Sequence, residues 1–137
     1  MTYQRGLTLL ELLVVLVILS LVTVSVVLSV RDDPATRLER ETDQLIARLE
    51  AARAQARTQQ QALQWRPVEG GYVIGTETFR WQDPQTQTNL QIGNDVQAQT
   101  LLLGPEPILP VVRLQLQIGA QRVTVRTDGL RPFEVER

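Results

Sequence analysis

The sequence predicts an α+β protein: a long N-terminal helix, membrane-spanning in its first half, packed by its second half on an antiparallel β-sheet. Three observations carry that reading. Residues 7–30 are apolar almost without a break, residues 35–61 hold helix formers with no Gly or Pro, and beyond them apolar residues recur at every second position.

The first element is the run LTLLELLVVLVILSLVTVSVVLSV, twenty-four residues with one charge, Glu11. At helical rise it reaches about 36 Å, enough for a hydrocarbon core of about 30 Å. A cleaved secretory signal would have a shorter apolar core and a small-residue exit site, and Val27-Leu28-Ser29-Val30 is a poor match to one. A buried core helix is not normally apolar on every face over this length. Residues 7–30 therefore read as a transmembrane helix. Arg5 precedes it, and Arg31-Asp32-Asp33 follows with a net charge of −1. The positive-inside bias then places residues 1–6 in the cytoplasm and the remainder outside.

Glu11 is the anomaly within that span. A carboxylate at mid-bilayer costs roughly 2.5–3.5 kcal/mol, and less near one end. Either it snorkels to the interface or it serves a positive partner. The run Arg5-Gly6-Leu7-Thr8-Leu9-Leu10-Glu11 resembles the processing site of type IV prepilins. That site has a short basic leader ending in Gly, then a hydrophobic residue, Thr-Leu-Leu-Glu and a long apolar stretch. Leu7 stands where the family usually has Phe. The resemblance implies that residues 1–6 are a leader peptide, cut between Gly6 and Leu7 by a membrane prepilin peptidase that also methylates the new Leu7 amine. Glu11 then becomes an assembly residue, its carboxylate pairing with the Leu7 amine of a neighbouring subunit. An unpaired charge in a helix bundle costs several kcal/mol, so such a pair selects one register.

Length and composition narrow the remaining classes. The chain has 137 residues, so one compact domain follows the apolar segment. It contains no Cys and no His, which excludes a disulfide scaffold and a thiol nucleophile and removes the usual bases and most zinc ligands. A net charge of −1 gives no reason to expect nucleic acid. All fourteen basic residues are Arg, for which we have no physical account. No Gly-rich phosphate loop or His-Glu metal motif is present. The reading is a protein that is not an enzyme, with no catalytic residue, no cofactor and no metal. Asp32-Asp33 reads as a helix start and not as a catalytic pair. Asp83, Asn89, Asn94 and Asp95 offer oxygen ligands, but their spacing matches no calcium loop.

After Asp33, which suits a cap with Pro34 at the first helical position, residues 35–61 read as a helix; a continuous helix kinked at Pro34 is the alternative. Leu38, Leu45, Leu49, Ala52 and Ala56, supported by Ile46, form its apolar stripe, read as a core face packed on a sheet. Residues 62–137 read as a β domain. Leu63 and Trp65 alternate with polar neighbours. Residues 72–74 and 78–81 form a hairpin around Gly75, and Trp65, Tyr72, Phe79 and Trp81 read as a core cluster in preference to an aromatic ligand box. Residues 82–110 read as a long loop with one strand at 100–103, and disorder is an alternative for 82–98. The clearest strand signal is Val112, Leu114, Leu116 and Ile118. A two-residue turn at Gly119-Ala120 pairs Ile118 with Gln121, Leu116 with Val123 and Leu114 with Val125. Asp128-Gly129 makes a further turn, and Phe133 and Val135 end the alternation.

Outside the N-terminus, the segments Ala51-Ala52-Arg53-Ala54-Gln55-Ala56, Gly71-Tyr72, Leu103-Gly104-Pro105-Glu106-Pro107 and Thr127-Asp128-Gly129-Leu130-Arg131-Pro132-Phe133 resemble the H-type minor pseudopilins of type II secretion systems. That resemblance implies a single-pass protein of the bacterial inner membrane, with residues 31–137 forming a periplasmic pseudopilin domain. It implies a structural subunit near the tip of the pseudopilus that drives export of folded proteins across the outer membrane. Its partners would be the prepilin peptidase/methyltransferase, the major pseudopilin, other minor pseudopilins and inner-membrane lipid. The alternative is a minor type IV pilin serving pilus assembly, adhesion or DNA uptake.

Overall fold

The computed structural model describes residues 8–29, 33–106 and 108–136, with α1 side chains described as far as Leu21. Gly6 and Leu7, the expected cleavage junction, lie outside the described residues, as do Arg31, Asp32 and Pro107. The chain divides into two units, residues 1–32 and 33–137.

In the first unit, α1 is Leu9–Ser29. Every side chain described in it is exposed, from Leu9 at 82% to Val14 at 45%. Among the described residues no helix is long and apolar enough to cross a membrane.

The second unit opens with α2, Pro34–Gln59. Asp33 occupies the N-cap position in an extended conformation, without a side-chain capping bond, and Pro34 follows where its missing N–H costs nothing. The helix stops two residues short of the expected 61. Gln60 turns left-handed (φ 53°) and its N–H bonds the Ala56 carbonyl, which closes the last turn. The predicted stripe is the buried face: Leu38, Leu45, Leu49, Ala52 and Ala56 are all within 4% of complete burial. Burying each Leu contributes about 1.5–3 kcal/mol.

Among the described residues nine strands follow, in two antiparallel sheets where the sequence suggested one. They are β1 (Leu63–Val68), β2 (Gly71–Ile74), β3 (Glu77–Arg80), β4 (Gln87–Ile92), β5 (Asp95–Ala98), β6 (Leu101–Leu103), β7 (Val112–Ile118), β8 (Gln121–Thr127) and β9 (Glu134–Val135). The first sheet has the order β3-β2-β1-β6 and the second β5-β4-β7-β8-β9. The split follows from β6 pairing back onto β1, Leu63 opposite Leu103, instead of onto its sequence neighbour β5. Helix α2 packs against β1 and β6 of one sheet and β7 and β8 of the other, so both sheets share its apolar face.

Among the described residues, 82–110 are therefore not one long loop, and 82–98 are not disordered. They hold β4 and β5, joined by a Gly93-Asn94 turn with Gly93 at φ 56°, as well as the expected strand, which covers Leu101–Leu103. Only Leu90 of β4 is fully buried and β5 buries no residue fully, so the alternation was too faint to read. The β7–β8 register is the expected one, with Ile118 opposite Gln121, Leu116 opposite Val123 and Leu114 opposite Val125. Leu114, Leu116 and Val125 are fully buried.

Two buried charges on α2 hold the loops in place. Glu41, 2% exposed, accepts hydrogen bonds from the Asp83 N–H (2.8 Å) and the Thr86 hydroxyl (2.7 Å), one on each carboxylate oxygen. Arg37 adds an ion pair to Asp83 at 3.1 Å. Arg53, 4% exposed, donates to the carbonyls of Arg131 and Gly129, while Glu50 accepts the Phe133 N–H at 2.9 Å. Gly129 sits at φ 90°, and a Cβ there would strike the Leu109 carbonyl. Glycine is the residue that permits both the turn and that close approach.

Candidate processing and assembly site

The site predicted from sequence lies at the start of the chain, and the structure reaches it from the C-terminal side. Thr8 caps α1. Its side-chain oxygen accepts the Glu11 N–H at 3.3 Å, and its carbonyl accepts the Leu12 N–H at 3.1 Å. Thr8 and Glu11 thus stand at the N-cap and N3 positions of a Thr-x-x-Glu sequence, the pattern in which a hydroxyl and a carboxylate serve the free donors of a helix start. The sequence reading singled out Glu11 and passed over Thr8, although the three-residue spacing was a sufficient signal.

Glu11 is exposed in the first turn of α1, which has no other acidic residue and no basic residue in its last turn. The positive end of the helix dipole favours a carboxylate at this point. Around it stand Leu9, Leu10, Leu12 and Leu13, all more than half exposed. The arrangement holds a single anion at a fixed height on an otherwise apolar rod. It can accept a cation presented from another molecule.

The other candidates fall into structural positions. Tyr72 packs on Trp81 at 4.6 Å, Phe79 at 5.4 Å and Trp65 at 6.2 Å between ring centroids. Arg48 lies 4.2 Å over the Phe79 ring and donates to the Tyr72 hydroxyl at 2.9 Å. Burial raises the Tyr72 phenol above its ordinary range, and the Arg48 hydrogen bond and charge offset part of that rise. Trp65 and Tyr72 are core residues, as expected, with Phe79 and Trp81 half-buried beside them. Among the oxygen-bearing residues weighed for calcium, Asp83 is held by Arg37 and by the Gln85 N–H, and Asp95 accepts the Gln97 N–H on β5. Asn89 lies within β4 and Asn94 in the turn after it. Among the described residues no group of three or more acidic side chains is placed to hold a metal ion.

The described chain combines a capped apolar helix, with one carboxylate in its first turn, and an α+β domain. Residues 1–27 match the prokaryotic N-terminal methylation motif. This assigns the segment to the prepilin-like type and makes it a substrate pattern for prepilin peptidase and its methyltransferase activity. No curated protein and no solved structure matches the chain.

Proposed function

We propose that this chain is a minor pseudopilin of a type II secretion system. In this reading the peptidase cuts between Gly6 and Leu7 and methylates the Leu7 amine. Residues 7–30 span the inner membrane, residues 1–6 face the cytoplasm before removal, and residues 31–137 form the periplasmic domain. The observation that carries the proposal is the methylation motif over residues 1–27, with Gly6, Leu7 and Glu11 at the family's spacing. The choice of a pseudopilin over a minor type IV pilin rests on the resemblance of residues 51–56, 71–72, 103–107 and 127–133.

Glu11 acts in assembly. Cleavage turns an amide nitrogen into a cationic amine, and Glu11 is then the fifth residue of the mature chain. Its carboxylate pairs with the Leu7 amine of an adjacent subunit as the apolar helices bundle. Gly6 lacks a Cβ, which lets the extended junction approach the peptidase closely.

Mass spectrometry of the protein from a host carrying the peptidase tests the first step. The expected species begins at methylated Leu7, and an intact Met1 in assembled material overturns the proposal. Gly6→Val should leave the precursor uncut. Glu11→Leu should be processed normally yet crosslink less to the major pseudopilin. Unchanged crosslinking and full secretion would reduce Glu11 to a residue that snorkels. Secretion of exoproteins that stops on deletion of the gene supports the pseudopilin reading, and loss of surface pili with intact secretion favours the pilin alternative.

A further inference from the structure

The outer face of the second sheet carries hydrogen-bonding side chains in rows across β4, β7 and β8. The central row is Asn89, Gln115 and Thr124, adjacent by strand register. Neighbouring strands lie about 4.8 Å apart, so the row presents two amides and a hydroxyl over roughly 10 Å of rigid surface. The flanking amides are occupied: Gln91 donates to the Gly93 carbonyl and Gln117 to the Gly119 carbonyl. Among the described residues, the side chains of Asn89, Gln115 and Thr124 have no hydrogen-bond partner.

These three residues floor an open basin of about 400 Å³, walled by Gln91, Val96, Arg113 and Glu136. Among the described lining residues the charged ones are Arg113 and Glu136, 3.8 Å apart, and Arg126 beside the basin pairs with the same carboxylate at 3.4 Å, so no charge of either sign stands alone there. Val96 is 59% exposed and adds an aliphatic wall.

We propose that this basin binds a neutral polyhydroxylated ligand, one or two sugar units of a glycan strand. Amides and hydroxyls both donate and accept, as sugar hydroxyls do. The Val96 side chain meets the C–H face of a sugar ring. A polycation would meet Arg113 and Arg126, and a polyanion would have to displace Glu136 from both. An extended peptide would seek its backbone hydrogen bonds at a sheet edge, not in the middle of a face.

Saturation-transfer NMR on the full chain in detergent micelles tests this, with a tetramer of β-1,4-linked N-acetylglucosamine as probe. Transfer to the ring and acetyl protons is expected. Asn89→Leu and Gln115→Leu should each reduce it about fivefold, the worth of one neutral hydrogen bond. Gln87→Leu, on the same face outside the basin, should leave it unchanged. Circular dichroism establishes that each variant is folded, and Thr124→Val carries the same expectation where another is not. Absence of transfer, or equal transfer in all variants, overturns the proposal. Stronger transfer to an oligogalacturonate of the same length overturns the neutral-ligand assignment.

Discussion

The two helices of this protein are of similar length and opposite design. Helix α1, with 21 residues, exposes apolar side chains on every face described, whereas α2, with 26, buries one stripe and turns charged and amide residues outward. Amphipathicity lets α2 find its partner within the chain, in the two sheets that share its stripe. A helix that is apolar all round has no face to prefer, and its favourable environment is hydrocarbon or a bundle of like helices. The contrast separates two kinds of stability: α2 belongs to the folding of the domain, and α1 to whatever receives it.

The contrast breaks most visibly if the domain depends on α1. A chain beginning at Asp33 should fold alone, with circular dichroism showing both helix and strand; a disordered spectrum would make α1 part of the fold. Within that fragment the largest single effect is expected from Leu116→Arg, which forces a charge into the surface beneath α2. It should cost about 4 kcal/mol or more in urea denaturation. Gln117→Arg, one residue along on the outer face, should stay within about 0.5 kcal/mol, and equal losses would refute the one-sided sheet.

Next in size, Leu45→Ala in α2 should cost about 2–5 kcal/mol, because the site is fully enclosed. Leu13→Ala in α1 of the full chain should leave the domain's denaturation midpoint unchanged. Gly129→Ala should cost about 2 kcal/mol, since it strains a left-handed backbone and collides with Leu109.

The smallest effects are those of pH. Backbone N–H groups of Arg131 and Leu130 hold the Asp128 carboxyl below its usual range. Its contribution is present above the ordinary aspartate range and is lost as pH falls through the lowered value. Asp128 is fully exposed, so solvent screens the effect, and Asp128→Asn should flatten the acid limb only slightly. Tyr72 works in the opposite direction. Its raised phenol leaves stability intact below the ordinary tyrosine range, and stability falls as pH rises through and above that range. Tyr72→Phe should remove that alkaline loss.

Much of the molecule was legible because its signals are local. The α2 stripe, the β7–β8 register and the Gly119-Ala120 turn all follow from spacing within a few residues. The N-terminal methylation motif was legible for the same reason, since it is a contiguous run within residues 1–27. Strands β4 and β5 were missed because few of their side chains face the core, although Gly93-Asn94 is a hairpin turn that composition could have flagged. The division into two sheets rests on β6 choosing β1, a contact made across more than thirty residues, and periodicity carries no information about partners.

The grip of α2 on the C-terminal turn has a consequence in time. Arg53 reaches the Arg131 carbonyl across 78 residues of chain, and Glu50 reaches the Phe133 N–H across 83. Closing loops of that length comes late in folding, because the entropy of the whole intervening segment is spent before any contact rewards it. A chain emerging N-terminus first exposes α1 from its earliest moments, while the domain cannot seal until nearly its last residue has arrived. Emergence of the apolar helix therefore precedes completion of the fold, and a polypeptide lacking residues 129–136 would expose the same helix yet leave the domain open.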